Sequence, residues 1–273
     1  MIMKRFFFSV LLVLGGAAVF VLGSPYYSVF PTNQNQTYYV VLALFFLIFS
    51  VALKRSQSLS RFWPSTYSLF IASAALLFLS TGILNLQLST SNPLQDIAID
   101  KLSQFLHVVP VIVVLTLLAK DDLKSIFIGK GRLRQGLTFG LVSFAVFALI
   151  ALAMQSNSSE FFSSLPTAIP WLLLFIFANA IMEELWLRAI FLRKYETMIG
   201  RNAAIIVTAV VFGASHVNAT YDFPGGGFVF GIVVFGLGIV GAFSMFKTDG
   251  LIGPVLFHAG YDLLVIVPIL NSL

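Results

Sequence analysis

The chain of 273 residues contains no cysteine. That excludes thiolate zinc sites, iron–sulfur clusters, disulfides and a cysteine nucleophile. Charge is scarce too: Asp, Glu, Lys and Arg make up 10% of the residues, against about 25% in soluble domains. The sequence lacks a His-Glu-x-x-His zinc helix, a Gly-x-Gly-Asp signature, a phosphate loop and a dinucleotide fingerprint. What it has instead is apolar length. Hydrophobic residues are 59% of the chain and the mean hydropathy is +0.97, the composition of a polytopic membrane protein. The net charge of +5 gives no sign of a nucleic-acid partner, because the basic residues mark the ends of apolar runs rather than one patch.

Spans of about 17–25 apolar residues are the unit of such a protein. The sequence predicts an all-α transmembrane bundle of eight to nine helices. Nine runs can be drawn, over 6–22, 38–53, 65–84, 102–119, 135–154, 166–192, 202–218, 227–246 and 251–270. The first has a basic start and small residues at Gly23-Ser24, as a signal peptide would, but its apolar run is longer than a usual signal core, so it is read as a retained helix. Fourteen of the 16 basic residues fall in alternate loops, from Lys4 and Arg5 through Lys54 and Arg55 to Lys247. The opposite loops (23–37, 85–101, 155–165 and 219–226) hold only Lys101. The positive-inside rule then places the N-terminus in the cytoplasm, with the plasma membrane as the expected location, and the C-terminus outside.

Against that background Glu183 and Glu184 stand out, since an ionised carboxylate inside a membrane span is costly and marks a functional site by default. About 100° of helix separates them. Glu184 can pair with Arg188, four residues on in the favoured order, which leaves Glu183 facing elsewhere. The candidate partners come later. Phe212 and His216 share a helix face, as do His258 and Asp262. Asp262 could fix the tautomer of His258 or share a ligand with it. Glu183 is ten residues from Arg193, His258 eleven from Lys247 and His216 fifteen from Arg201. At 1.5 Å per residue these are depths of about 15–22 Å, so three spans converge on one polar pocket. His107, near Pro110, is read as a packing or interfacial residue at a kink.

Glu183-Glu184-x-x-x-Arg188, Phe212-x-x-x-His216 and His258-x-x-x-Asp262 together resemble the CPBP family, which groups type II CAAX prenyl endopeptidases with bacteriocin-processing and immunity-type membrane proteins. The resemblance covers roughly residues 166–270. It implies an intramembrane endopeptidase, long labelled a metalloprotease and better described as glutamate-dependent, acting on a membrane-associated peptide or protein. It also implies roles: Glu183 as the base, His216 holding the attacking water, His258 and position 262 forming an oxyanion hole, Glu184 and Arg188 bracing the site with Phe212. Residues 135–273 would be the catalytic core of a single membrane domain, and 1–134 helices of unassigned role. The best-known prenyl-processing members carry asparagine where this chain has Asp262, although aspartate falls within the family's wider pattern, and an ionised aspartate cannot donate to an oxyanion. Either Asp262 is protonated, or it orients His258. No cofactor is expected, although Glu183, His216, His258 and Asp262 could hold a zinc ion with open positions. The competing readings are a non-catalytic immunity or peptide-binding protein and an ion-coupled transporter.

Overall fold

The computed structural model describes residues 2–24, 35–86, 92–155, 159–218 and 224–270. Among these every regular element is helical. The α-helices are α1 (Ile2–Phe20), α2 (Asn35–Arg55), α3 (Trp63–Thr81), α4 (Pro93–Leu118), α5 (Leu133–Met154), α6 (Ser159–Glu183), α7 (Ile190–Ile199), α8 (Arg201–His216), α9 (Gly226–Thr248) and α10 (Ile252–Leu270). Much of the loops expected opposite the basic ones, at 25–34, 87–91, 156–158 and 219–223, lies outside the described residues.

Each of the nine expected runs coincides with a helix, but a count of nine spans is not confirmed among the described residues. Six helical stretches are long and apolar enough to cross a membrane: Asn35–Arg55, Ser60–Thr81, Pro93–Leu118, Leu133–Met154, Phe162–Ile199 and Gly226–Thr248. Arg5–Phe20 and Ile252–Val267 are shorter apolar helices. The run over 202–218 forms α8, only 16 residues with Arg201 and Asn202 in its first turn. The sixth run, expected to end at 192, continues to Ile199. α6 passes into a π-helical turn, Glu184–Ala189, and on into α7. The turn is marked by the Ile190 N–H reaching back to the Leu185 carbonyl.

Local sequence explains several boundaries. Asn92 caps α4, its side chain accepting from the Gln95 N–H at 3.2 Å, with Pro93 at the first helical position, where its missing N–H costs nothing. Lys194, expected in a loop, is buried in α7 and reaches Ser125 Oγ at 3.1 Å and Asp121 at 3.6 Å. His107 packs as expected: it is fully buried, donates from Nδ1 to the Ser103 carbonyl at 2.8 Å and accepts the Leu84 N–H at Nε2 at 3.0 Å. It ties the segment after α3 to α4.

The helices pack pairwise: α2 on α3, α3 on α4, α4 on α6, α5 on α10, α8 on α9, and α1 across α8. Two apolar cores result. One joins α1–α3 to the end of the long helix and to α8, and the other joins the start of α4 and the middle of α6 to α10. Small residues permit the close approaches that membrane packing relies on. A Cβ at Gly213 of α8 would lie 2.7 Å from the Gly231 carbonyl of α9. Glu183 and the π turn sit where the two cores meet.

Candidate active site

The π turn positions the ionic core of the site. Arg188 grips Glu184 with both arms of its fork, Nε donating to Oε2 at 2.7 Å and Nη2 to Oε1. Neither side chain is more than 1% exposed. Above the pair α9 comes close. A Cβ at Gly241 would stand 3.4 Å from Arg188 Nε and 3.6 Å from Glu184 Oε2, so glycine leaves the space that the pair fills. Below it lies Phe212, whose ring centroid is 4.0 Å from the Arg188 guanidinium carbon. Arg188 Nη1 has no hydrogen-bond partner among the described residues; the ring face is its compensation, a cation–π contact that is strongest when desolvated. Phe212 also meets the rings of His216 and His258 edge-on, at 4.7 and 5.9 Å, and so touches three of the predicted site residues.

The histidines are oriented through Nδ1. His216 donates from Nδ1 to the Phe212 carbonyl at 2.8 Å, with Ser215 Oγ at 3.1 Å. His258 Nδ1 is 2.8 Å from Glu184 Oε1, and only a proton on Nδ1 makes that contact favourable, because the carboxylate has nothing to donate. Both Nε2 atoms therefore point inward. They face Glu183 Oε2, at 3.6 Å from His216 and 3.7 Å from His258. These separations exceed a hydrogen bond, and Oε2 is buried without a hydrogen-bond partner among the described residues. A cavity of about 40 Å³ lies beside it, lined by Glu183, His216, His258 and Asp262, with room for a water molecule.

The chain brings Glu183, Glu184, Arg188, Phe212, His216, His258 and Asp262 together. One detail differs from the sequence reading: Glu184, and not Asp262, fixes the tautomer of His258. Asp262 Oδ1 is 3.5 Å from His258 Nε2, while its Oδ2 accepts from Asn179 Nδ2 at 3.1 Å. The sequence reading passed over Asn179. It stands one turn before Glu183 on the same helix face, a spacing that was visible but carried no ionisable group to draw attention. Lys101, expected in a loop, is buried in α4 and lines a second cavity with Glu183 and His216. Among the described residues no group of three or more His, Asp or Glu side chains is disposed to hold a metal ion.

The apolar helices mark an integral membrane protein, with a buried carboxylate facing two imidazoles in its interior. Residues 165–264 match the family described as type II CAAX prenyl endopeptidase Rce1-like, in agreement with the CPBP resemblance carried by the three motifs. This similarity to a family of CAAX-type membrane endopeptidases covers the π turn, α8 and the part of α10 that carries His258 and Asp262. No curated protein and no solved structure matches the chain.

Proposed function

We propose that the protein is a glutamate-dependent intramembrane endopeptidase, and that the observation carrying this reading is the unpartnered Glu183 Oε2 facing the Nε2 atoms of His216 and His258 beside a water-sized cavity. Glu183 takes a proton from a water molecule whose second hydrogen is accepted by His216 Nε2. The water oxygen adds to the peptide carbonyl, and Glu183 passes its proton to the departing amine, so that water and one peptide bond become an acid and an amine. His258, with a proton on each ring nitrogen, donates from Nδ1 to Glu184 and from Nε2 to the oxyanion. Fixed donors of this kind supply the largest electrostatic contribution in acyl transfer. Residues 135–273 form the catalytic core, and the bilayer and a membrane-associated peptide or protein are the partners. The experiment that tests the reading compares membrane peptidomes of cells carrying the wild type and a Glu183→Gln variant. Peptide products present only with the wild type are expected, and identical peptidomes with the peptide bound intact would favour a non-catalytic binder.

Position 262 separates two roles. Asp262→Asn retains or raises cleavage if this side chain donates to the oxyanion, since an amide always can. In the structure Asp262 instead accepts from Asn179, and asparagine there would have to turn its own oxygen to that donor. The expected outcome is therefore a folded variant with reduced turnover, measured with a product identified in the peptidome comparison.

No metal enters this mechanism. Cleavage in purified membranes is expected to survive strong chelation, and loss of activity restored by zinc would reverse that assignment. The alternation of basic loops supports an N-terminus in the cytoplasm, and a plasma-membrane location is part of the same proposal. Reporter fusions after Asn92, Asn157 and Asn218 should all report the outer side, and a cytoplasmic signal at two of them would overturn the orientation. Asn157 lies outside the described residues.

A further inference from the structure

Among the described residues six buried side-chain polar atoms have no hydrogen-bond partner. Four of them belong to Asn179, Glu183, Arg188 and Tyr261, which all line the 40 Å³ cavity. Glu183 Oε2 is taken up by the proposed reaction, and Arg188 Nη1 is compensated by the face of Phe212. Asn179 Oδ1 and the Tyr261 hydroxyl have no such account. Buried amides and phenols are rarely left without partners, and two of them at one cavity point to a shared ligand.

Both side chains are held by something other than the orphaned atom. Asn179, 6% exposed, is fixed through Nδ2, which donates to Asp262 Oδ2 at 3.1 Å. An ionised carboxylate only accepts, so the amide nitrogen is committed to Asp262 and the oxygen remains. Tyr261, 8% exposed, is fixed by its ring, which meets Phe147 of α5 edge-on at 6.2 Å. Helices α6 and α10 thus bring an acceptor and a hydroxyl to the cavity that Glu183 shares. Much of the remaining lining, including Phe175, Phe230, Val234, Leu237 and Val265, offers no side-chain hydrogen bond. The cavity is far below the roughly 300 Å³ at which small-ligand sites begin. At about 10–15 Å³ for each buried water it takes about three, and an apolar interior holds water only where polar groups bind it.

We propose that Asn179 and Tyr261 are positioning residues that hold a small store of water next to Glu183, from which the hydrolytic water is drawn and replaced. Hydrolysis consumes one water for each bond cut, so a site enclosed by apolar helices needs the next molecule close at hand. Asn179 Oδ1 accepts from the stored water, and the Tyr261 hydroxyl binds it from α10. What the water does rests on the peptidase reading; that the site binds water does not.

The first test therefore needs no turnover. Hydroxyl radicals made by X-ray pulses in the purified protein, with a scavenger quenching those in bulk solvent, modify side chains that touch bound water. Tyr261 and Phe175 should be oxidised, and Tyr195, 2% exposed in the apolar core, should not. Asn179→Leu should abolish the modification of Tyr261. Tyr261→Phe removes only the hydroxyl and keeps the ring against Phe147; it should abolish the modification of Phe175, and it carries the test if Asn179→Leu fails to fold. An unmodified Tyr261 in the wild type, or modification unchanged in a folded variant, overturns the proposal.

Turnover is then measured on a peptide spanning a cut found in the peptidome comparison. Each folded variant should lower kcat by about tenfold, the scale of one lost hydrogen bond, at unchanged KM. An unchanged kcat overturns the proposal, and a KM that rises with it shows that these groups touch the peptide instead. Peptide products with Tyr261 unmodified sink this inference alone. Tyr261 modified as expected, with no products from the wild type, sinks the peptidase reading alone and leaves the water site standing.

Discussion

On the proposed mechanism Glu183→Gln is expected to remove peptide cleavage, lowering turnover by about 10²–10⁴-fold, the usual scale of a positioned general base, while the protein stays folded. The amide keeps the shape of the carboxylate but loses its charge and its ability to take a proton. Oε2 has no hydrogen-bond partner among the described residues, and its nearest polar neighbours are 3.6 and 3.7 Å away, so the exchange breaks no bond that holds helices together. A monodisperse protein of unchanged thermal stability in detergent, with product formation lost, is the expected pair of results. Ser215 supplies the contrast. Its hydroxyl donates to the Phe212 carbonyl at 2.8 Å, an acceptor that His216 also uses, and Ser215→Ala should matter little. Cleavage abolished by Ser215→Ala but tolerant of Glu183→Gln would falsify the glutamate mechanism in favour of a serine nucleophile.

The largest loss of stability is expected one residue away. Arg188→Ala or Glu184→Gln each leaves a charge or a donor buried without its partner, at a cost of about 3–5 kcal/mol in buried sites. The pair merits the upper part of that range, since neither side chain is more than 1% exposed and the guanidinium is also held over Phe212. Unfolding in graded detergent mixtures measures it. Replacing both members, with Glu184→Gln and Arg188→Met, should recover much of the stability, because buried pairs exchanged for apolar groups are often near neutral. Activity should not return with it. The His258 ring then lacks the carboxylate that fixes its Nδ1 proton, and Nε2 no longer presents a reliable donor to the reacting carbonyl. A double variant as unstable as the single ones would show that the pair does more than neutralise itself.

The apolar runs and the alternation of basic loops made every helix of the bundle legible except α7, and the three motifs led to side chains that meet in the structure, Glu183 within 3.7 Å of both histidines and His258 within 3.5 Å of Asp262. What sequence could not supply was partner choice. Helical spacing put Asp262 one turn from His258 and suggested that it oriented the ring. Only the packing of α10 against the π turn shows Glu184 in that place. Asn179 stayed hidden because a neutral amide in an apolar run costs little and so raises no alarm. Lys101 was counted as a loop residue, since the apolar run of α4 starts just after it and the capped, more polar first turns do not. The count of nine spans is not confirmed for a related reason, since Arg5–Phe20, the 16-residue α8 and Ile252–Val267 all fall short of the six longer stretches. Hydropathy registers apolar content but not the few polar residues that begin and end a helix too short to qualify.

The π turn also changes the phase of the helix that carries it. Before Glu184 the long helix leans on α4 and α10, and beyond Ala189 its continuation leans on α8, α3 and α1. A wheel drawn at a constant 100° per residue from 159 to 199 smears these two apolar stripes into one another, because the wider turn inserts about one residue of rotation and rise. The bulge thus works as a clutch between two bundles. It lets a single rod lean on α4 and α10 with one stripe and on α8, α3 and α1 with another, with each half free to keep its own packing register. Deleting one residue between Glu184 and Ala189 would re-engage the two halves in a common phase, turning either the carboxylates or the whole of α7 out of place, and no point substitution within the turn has an equivalent effect.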